Sequence, residues 1–329
     1  MQCKEGSKGL RKIKMERPAV NIVVPLYNEE EVFESLIQRL QQVLDRFEPT
    51  ASVILVNDGS RDHTPQLMEA IAMADQRFSG VFLSRNFGHQ YALTAGLSCV
   101  DATEAVFVID GDLQDPPEMI HEFYQYLQEG YDVVYASRSS DKERYLKRTT
   151  SALIYRFFNK VTQLDMPLDA GDCCMMSTQV VHIINDMPEH PRFVRAMRTW
   201  VGFKQKEVYF ERPTREHGET KYTYRKLLQM ALDGIFGFSK LPIQLVGILG
   251  TLATLISVLY FLVALFNYSV YGTGIEGFTG LLFVIVLFGG IQLFSIAIIG
   301  QYILHIFFQV KQRPSYIIKK QIKNGKTIL

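Results

Sequence analysis

Two long uncharged runs near the C-terminal end of the chain constrain its fold more than any other feature. The first extends from Ile243 to Phe266 and the second from about Phe278 to Ile303, and neither contains a charged side chain. At a rise of about 1.5 Å per residue, each run is long enough to cross a hydrocarbon core of about 30 Å as a helix. A buried helix of a soluble protein is the alternative for either run alone, but two adjacent runs favour a pair of membrane spans.

Basic residues flank this pair of runs on both sides, whereas the linker between the runs contains no Lys or Arg. The basic residues are Lys221, Arg225, Lys226 and Lys240 before the first run and Lys311, Arg313, Lys319, Lys320, Lys323 and Lys326 after the second. The positive-inside rule therefore predicts cytoplasmic flanks and an external linker. Residues 221–240 carry apolar side chains at helical spacing, which favours a helix lying in the membrane interface over an ordinary amphipathic surface helix.

Residues 18–220 alternate short β-rich runs with helical runs. This pattern is typical of an α/β domain with a mainly parallel sheet flanked by helices. Ligands of such sheets bind beyond the carboxyl ends of the strands. The segments in that position are PLYNEE, NDGSRDHT, SRNFGHQ and DGDLQDPP, and all four are polar. Neither a Walker P-loop nor a dinucleotide-binding G-x-G-x-x-G motif is present, which argues against these two nucleotide-binding classes.

Asp110 and Asp112 follow the fourth strand and would repel each other without a positive partner. A hard divalent cation that binds carboxylate oxygens and ligand phosphates would relieve this repulsion. If the segment stays extended, alternation places Asp110, Asp112 and Gln114 on one side. The sequence therefore predicts a cation site at the end of this strand.

Charge and cysteine content limit the remaining possibilities. The formal net charge of +1 gives no reason to expect a nucleic-acid partner. The four cysteines show no zinc-ligand spacing and are expected to be reduced thiols. The basic N-terminal segment lacks the apolar stretch of a secretory signal, so the soluble part is expected to be cytoplasmic. The predicted organisation is a basic tail (1–17), an α/β domain (18–220), an interfacial helix (221–240), a two-helix membrane region (241–308) and a second basic tail (309–329).

Several ordered motifs resemble those of the inverting glycosyltransferases of the GT-A fold. These are VVPLYNEE, NDGSRDHT, LSRNFGHQYALTAGL, DGDLQDPPE and RPTREHGETKYTYRKLLQMALDGI. Within that fold, the chain is similar to the polyprenyl-phosphate glycosyltransferases, which include bactoprenol glucosyltransferases and dolichyl-phosphate mannose synthases. The resemblance implies transfer of a hexose, with glucose from UDP-glucose favoured, to undecaprenyl phosphate at the cytoplasmic face of the inner membrane. It also implies Mg²⁺ or Mn²⁺ as cofactor and a homo-oligomer such as a tetramer.

The same resemblance implies roles for individual residues. Those of the nucleotide-sugar pocket are Pro25, Tyr27, Glu29, Asp58 beside the base, Asp110, and Arg138 near the phosphates. Asp112 and Gln114 would bind the metal. The catalytic group would comprise Asp112, Asp172 beside the acceptor, and Arg215 with Lys221 near the lipid phosphate or the donor.

One stretch departs from the family pattern, which is commonly Gly-Asp-Phe-Arg where this chain has Gly171, Asp172, Cys173 and Cys174. The missing arginine leaves open whether Arg192, Arg195 or Arg198 replaces it. Other sugars, such as GlcNAc, galactose, mannose or an aminoarabinose derivative, remain possible. So do a processive polysaccharide synthase, which two spans fit poorly, and a binding scaffold without catalysis, which the intact Asp110–Gln114 motif disfavours.

Overall fold

The computed structural model describes residues 17–138, 170–189, 192–210, 241–271 and 277–329. The strands are β1 (Val20–Leu26), β2 (Ala51–Asn57), β3 (Phe78–Leu83), β4 (Ala105–Val108), β5 (Val133–Arg138), β6 (Ala170–Ser177), β7 (Gln205–Phe210), β8 (Ile318–Lys323) and β9 (Lys326–Thr327). The helices are α1 (Glu30–Arg46), α2 (Thr64–Ala74), α3 (His89–Ser98), α4 (Ile120–Gln128), α5 (Thr178–Asp186), α6 (Val194–Trp200), α7 (Leu241–Tyr271) and α8 (Phe278–Val310). The predicted interfacial helix at 221–240 lies outside the described residues.

The chain divides into two compact units. The described parts of the first are residues 17–134, 173–182 and 318–329, and those of the second are residues 135–138, 170–172 and 183–317 with the gaps given above. The first unit contains the parallel strands that the sequence predicts. The second contains the two long apolar helices.

Four parallel strands form the centre of the first unit, in the order β4, β1, β2, β3. Strand β1 is buried along its whole length, as its apolar sequence requires of a strand covered on both faces. Val23 of β1 pairs with Ile54 of β2 on one side and with Val108 of β4 on the other. Because the carboxyl ends of these strands coincide, the loops that follow them meet at one edge of the sheet.

Helix α1 shows how the sequence covers this sheet. Its buried side chains are Phe33, Leu36, Ile37, Leu40 and Val43, which recur every three or four residues. This spacing produces one apolar face, which the helix buries, while charged residues such as Glu34 and Arg39 occupy the other positions. The helical runs predicted after β1 and β2 are therefore confirmed as α1 and α2.

Antiparallel strands extend the parallel centre in both directions, so that the sheet is mixed. Residues 174–177 of β6 pair with β4. Strand β8 pairs with β3, and β9 pairs with β8. Strands β8 and β9 come from the segment that the sequence assigns to a basic tail (309–329). Ile322 of β8 is completely buried, and Lys320 and Lys323 form ion pairs with Glu69 and Asp101.

In the second unit, α7 and α8 are long and apolar enough to cross a membrane. The candidate spans are Pro242–Val270, with a mean hydropathy of 2.4, and Leu287–Val310, with a mean hydropathy of 1.8. None of the most apolar stretch of the first span is buried, and 6% of that of the second is buried. A core helix of a soluble protein would be mostly buried, so this exposure favours the membrane interpretation. Both helices extend beyond the predicted runs.

Candidate active site

Four loops lie at the carboxyl edge of the parallel strands, where the sequence predicts the ligand site. They are loop 1 (residues 27–29), loop 2 (58–63), loop 3 (84–88) and loop 4 (109–116), which follow β1, β2, β3 and β4 respectively. All four belong to the first unit. Hydrogen bonds join loops 1, 2 and 3, and a contact between His89, at the start of α3, and Asp110 reaches loop 4.

Loop 1 is bound to loop 2 through main-chain and side-chain groups of Asn28. The Asn28 N–H donates to Ser60 Oγ at 3.0 Å, and Asn28 Oδ1 accepts the Arg61 N–H at 2.9 Å. Glu29 donates its N–H to Thr64 Oγ1 at 3.0 Å. Of the predicted pocket residues at this position, Pro25 is buried in β1, and Tyr27 and Glu29 are half-buried. All three therefore lie at the predicted edge.

Asp58 joins loop 2 to loop 3. Its Oδ1 accepts the Phe87 N–H at 2.8 Å and its Oδ2 accepts the Gly88 N–H at 2.9 Å. Burial raises the pKa of the Asp58 carboxyl above its ordinary value, although the two N–H donors partly offset this effect. Gly59 beside it has φ +66°, and a Cβ there would lie 2.4 Å from the Arg85 carbonyl carbon. Asp58 thus fixes the shape of loop 3, and its contact with a base stays a prediction.

His89, the first residue of α3, connects loop 3 to loop 4. Its Nε2 lies 3.5 Å from Asp110 Oδ1, and both side chains are partly exposed. The sequence does not single out His89 beyond its place in a polar post-strand segment. The pairing depends on two strands that are adjacent in the chain but separated by β1 and β2 in the sheet. Only the fold brings these two side chains together.

Loop 4 departs from the extended conformation on which the predicted alternation depends. The chain turns at residues 111–112, and Leu113 has φ +57°. Asp112 Oδ1 accepts the Gln114 N–H at 3.1 Å. A Cβ at Gly111 would lie 2.3 Å from Leu26 Cδ2 and 3.1 Å from the Pro25 carbonyl oxygen, so a larger residue there would displace the buried Leu26 side chain. The extended alternation is therefore wrong, because a turn held by Asp112 places Gln114 in a buried position.

Asp172 lies in the second unit, at the third position of β6. Its Oδ1 is 3.2 Å from Nη2 of Arg195 on α6, and the side chains of Asp172 and Arg195 are 13% and 22% exposed. Arg138 is the last residue of β5, and its side chain is outside the described part of the structure. Arg215 and Lys221 also lie outside the described residues.

The donor set in the first unit fits a hard divalent cation. Asp112 and Gln114, with Asp110 close by in the chain, offer carboxylate and amide oxygens between residues 110 and 114. The partly exposed Asp112 carboxylate is held by the hydrogen bond that it accepts from the Gln114 N–H. The surrounding loops are fixed to one another by the contacts described above. This edge therefore presents oxygen ligands of the kind that a hard divalent cation takes.

Comparison with known proteins identifies related sequences over nearly the whole chain. Residues 21–183 match the model of glycosyl transferase family 2. An uncharacterised glycosyltransferase of Synechocystis sp. is 39% identical over 300 residues, which cover 91% of this chain and 94% of that protein. A prophage-derived bactoprenol glucosyl transferase of Shigella flexneri is 35% identical over 302 residues, covering 92% of this chain and 97% of that protein.

Among solved structures, the chain is similar to glucosyl-3-phosphoglycerate synthase from Mycobacterium tuberculosis in complex with Mn²⁺, uridine diphosphate and phosphoglyceric acid. The similarity has a TM-score of 0.48 at 18% identity and covers 67% of this chain and 77% of that one. The sequence match to the family model includes all four loops and Asp172.

Proposed function

Because this chain belongs to glycosyl transferase family 2 and has its GT-A fold, we propose that it transfers a hexose from a nucleotide sugar to a polyprenyl phosphate. UDP-glucose is the proposed donor, and the transfer inverts the configuration at the anomeric carbon. The products are a polyprenyl-phosphate sugar and a nucleoside diphosphate. The observation that carries this proposal is that loops 1–4, which include Asp110 and Asp112, come together at one edge of the sheet. Relatives named for bactoprenol glucosyl transfer match 92% of this chain.

Loops 1 and 2 support a place for the nucleotide. Pro25, Tyr27 and Glu29 lie where the first parallel strand ends, and Asp58 lies where the second ends. In this proposal Pro25, Tyr27 and Glu29 line the nucleotide pocket and Asp58 holds the base. The hydrogen bonds among loops 1–3 keep that pocket in shape. Arg138, at the end of β5, is proposed to contact the donor phosphates.

Loop 4 supports a place for the diphosphate. Asp112 and Gln114 would hold Mg²⁺ or Mn²⁺, with Asp110 beside the ribose and diphosphate. A divalent cation held there would supply positive charge to offset the negative charge of the departing nucleoside diphosphate. Asp112 keeps its carboxylate in place through the Gln114 N–H, so that its orientation is set before the donor arrives. Arg215 and Lys221 are proposed to contribute further positive charge near the acceptor or donor phosphate.

A lipid phosphate acceptor has a simple consequence for the mechanism. The second pKa of a phosphate monoester is about 6, so the acceptor is largely dianionic at neutral pH. A dianion is already a nucleophile, and removal of a proton by the enzyme is unnecessary. Asp172 is therefore proposed to orient the acceptor side of the site and to stabilise positive charge on the sugar ring, rather than to act as a general base.

The proposed location is the cytoplasmic membrane, with the catalytic domain in the cytoplasm. The exposed apolar helices α7 and α8 and the bactoprenol-linked relatives support it. The distribution of Lys and Arg around the two helices supports cytoplasmic flanks.

A donor screen with the purified full-length protein tests this proposal. Undecaprenyl phosphate in detergent micelles is incubated with Mn²⁺ or Mg²⁺ and with UDP-glucose, UDP-GlcNAc, UDP-galactose or GDP-mannose in turn. Nucleoside diphosphate release and the mass of the lipid product are measured. Lipid-dependent release with UDP-glucose, and a product with one added hexose, is the expected result. A lipid product with another sugar would replace the donor assignment, and release without a lipid product would reject the acceptor.

A further inference from the structure

The segment Gly171–Cys174 has no arginine beside Asp172, so an arginine near this aspartate must come from elsewhere in the chain. This chain has Cys174 two residues after Asp172, where the resemblance described above implies an arginine. Three arginines, Arg192, Arg195 and Arg198, precede or lie on α6. Their surroundings differ enough to separate their roles.

Arg192 is committed to the end of another helix. Its Nη1 donates to the Met187 carbonyl at 2.7 Å, and its Nη2 donates to the Ile184 carbonyl at 2.5 Å. Carbonyl groups at a helix C-terminus lack partners within the helix, and a buried guanidinium that binds them stabilises the fold. Arg192 is only 8% exposed, so this contact is part of the protein interior.

Arg198 is also part of the interior. It is 1% exposed, and its guanidinium carbon lies 4.8 Å from the centroid of the Tyr135 ring. Its own carbonyl accepts a hydrogen bond from Gln205 Nε2 at 3.1 Å, which ties the end of α6 to the start of β7. These contacts indicate a packing role.

Arg195 alone among these three has a described contact with Asp172. The Nη2–Oδ1 distance of 3.2 Å makes a charge-assisted hydrogen bond, and both side chains remain partly accessible to solvent. The two residues are 23 positions apart in the chain, on β6 and α6. At 22% and 13% exposure the side chains of Arg195 and Asp172 are mostly buried, so solvent screens this pair only weakly. The contact fixes the direction in which the Asp172 carboxylate points.

We infer that Arg195 is a positioning residue for Asp172. The inference rests on the proposed function, since it requires Asp172 to act on the bound sugar or acceptor. Arg195 acts through Asp172: its Nη2 holds Oδ1 of the carboxylate at 3.2 Å, so that the other oxygen has a defined orientation. The guanidinium itself takes no part in bond making or breaking.

A double-mutant cycle on kcat tests this inference. The variants are Arg195→Met, Asp172→Asn and the combination, each measured with saturating UDP-glucose and undecaprenyl phosphate. Arg195→Met should lose roughly 10- to 100-fold in kcat, the effect of losing one hydrogen bond to a charged group. In the Asp172→Asn background the same change should cost less than about threefold, because the carboxylate that Arg195 positions is already gone. Multiplicative losses would show that Arg195 acts independently of Asp172 and would overturn the inference.

Two further variants separate positioning from folding. Arg195→Lys keeps the charge and one donor, so it should recover a large part of the kcat that Arg195→Met loses, with an unchanged melting temperature. Arg192→Met is the structural control: it should lower the melting temperature, while the folded fraction keeps a kcat near that of the wild type. If Arg195→Met behaves like Arg192→Met, or if Arg195→Lys recovers nothing, the inference is wrong. The wild-type enzyme reports on the proposed function separately, because absence of lipid product in the wild type rejects that function before any variant is compared.

Discussion

The C-terminal strand β8 yields the sharpest stability prediction, because one residue carries most of its burial. Ile322 is completely buried and pairs with Gly80 of β3, while Ile328, six positions later, is 58% exposed. We predict that Ile322→Ala destabilises the catalytic domain and that Ile328→Ala does not. Both substitutions remove the same atoms from the same short segment, so their difference isolates burial.

The magnitude follows from the environment of the two isoleucines. Replacing a buried isoleucine by alanine costs about 2–5 kcal/mol, through lost burial and the cavity that remains. The two ion pairs of β8 contribute much less. Lys320–Glu69 and Lys323–Asp101 join partly exposed side chains, and pairs of this kind are worth about 0–1 kcal/mol each. Strand β8 is therefore held mainly by Ile322 and by its main-chain pairing with β3.

The assay is thermal unfolding of the full-length protein in detergent micelles, followed by the loss of tertiary structure. For a domain of this size, about 1 kcal/mol corresponds to roughly 2–4 °C, so Ile322→Ala should lower the melting temperature by about 4–20 °C. Limited proteolysis should release the C-terminal segment faster from this variant. Equal shifts for Ile322→Ala and Ile328→Ala, or no shift for either, would refute the argument that β8 is an integral strand of the sheet.

Three further predictions concern the site and the membrane region. Asp112→Asn should lose most metal-dependent turnover without a large change in melting temperature; full activity of this variant in EDTA would reject the cation site. Because burial raises the pKa of Asp58 in the folded protein, the wild type should lose stability relative to Asp58→Asn as the pH rises from below about 3.8 through that raised value. Parallel melting curves of the two proteins against pH would contradict this. A cysteine introduced at Gly274, in a background without the four native cysteines, should react with an impermeant reagent in intact cells, whereas reaction only after permeabilisation would exclude an external linker.

The sequence predicts the parallel centre of the sheet well, for a local reason. Strands buried on both faces have short, continuous apolar sequences, as β1 does. The polar segments that follow these strands indicate the carboxyl edge of the sheet. Four such runs separated by helical patterns leave few alternatives to an α/β sheet. The convergence of loops 1–4 follows from that topology, and the structure confirms it through the contacts of Asn28, Asp58 and His89.

The features that the sequence does not reveal depend on pairing over long distances or on main-chain torsions. Strand β8 is rich in lysine and has one fully buried apolar residue, so its pattern looks like a solvated tail until β3 supplies a partner. The turn in loop 4 depends on the positive φ of Leu113 and on the close approach of Gly111 to β1. The Asp172–Arg195 pair joins residues with no local periodicity in common.

Strand β8 also bears on the membrane topology, independently of the positive-inside rule. Strands β1–β4 precede α7 and α8 in the chain, and β8 follows them, yet β8 is hydrogen-bonded to β3 in one sheet. A sheet of a water-soluble domain cannot be divided by a bilayer, so the chain must cross the membrane an even number of times between β4 and β8. If only α7 crossed, β8 would emerge on the side opposite β3 and could not pair with it. For the proposed membrane location, this pairing requires α7 and α8 to cross together as a hairpin, with β1–β4 and β8 on the face that the basic flanking residues predict to be cytoplasmic.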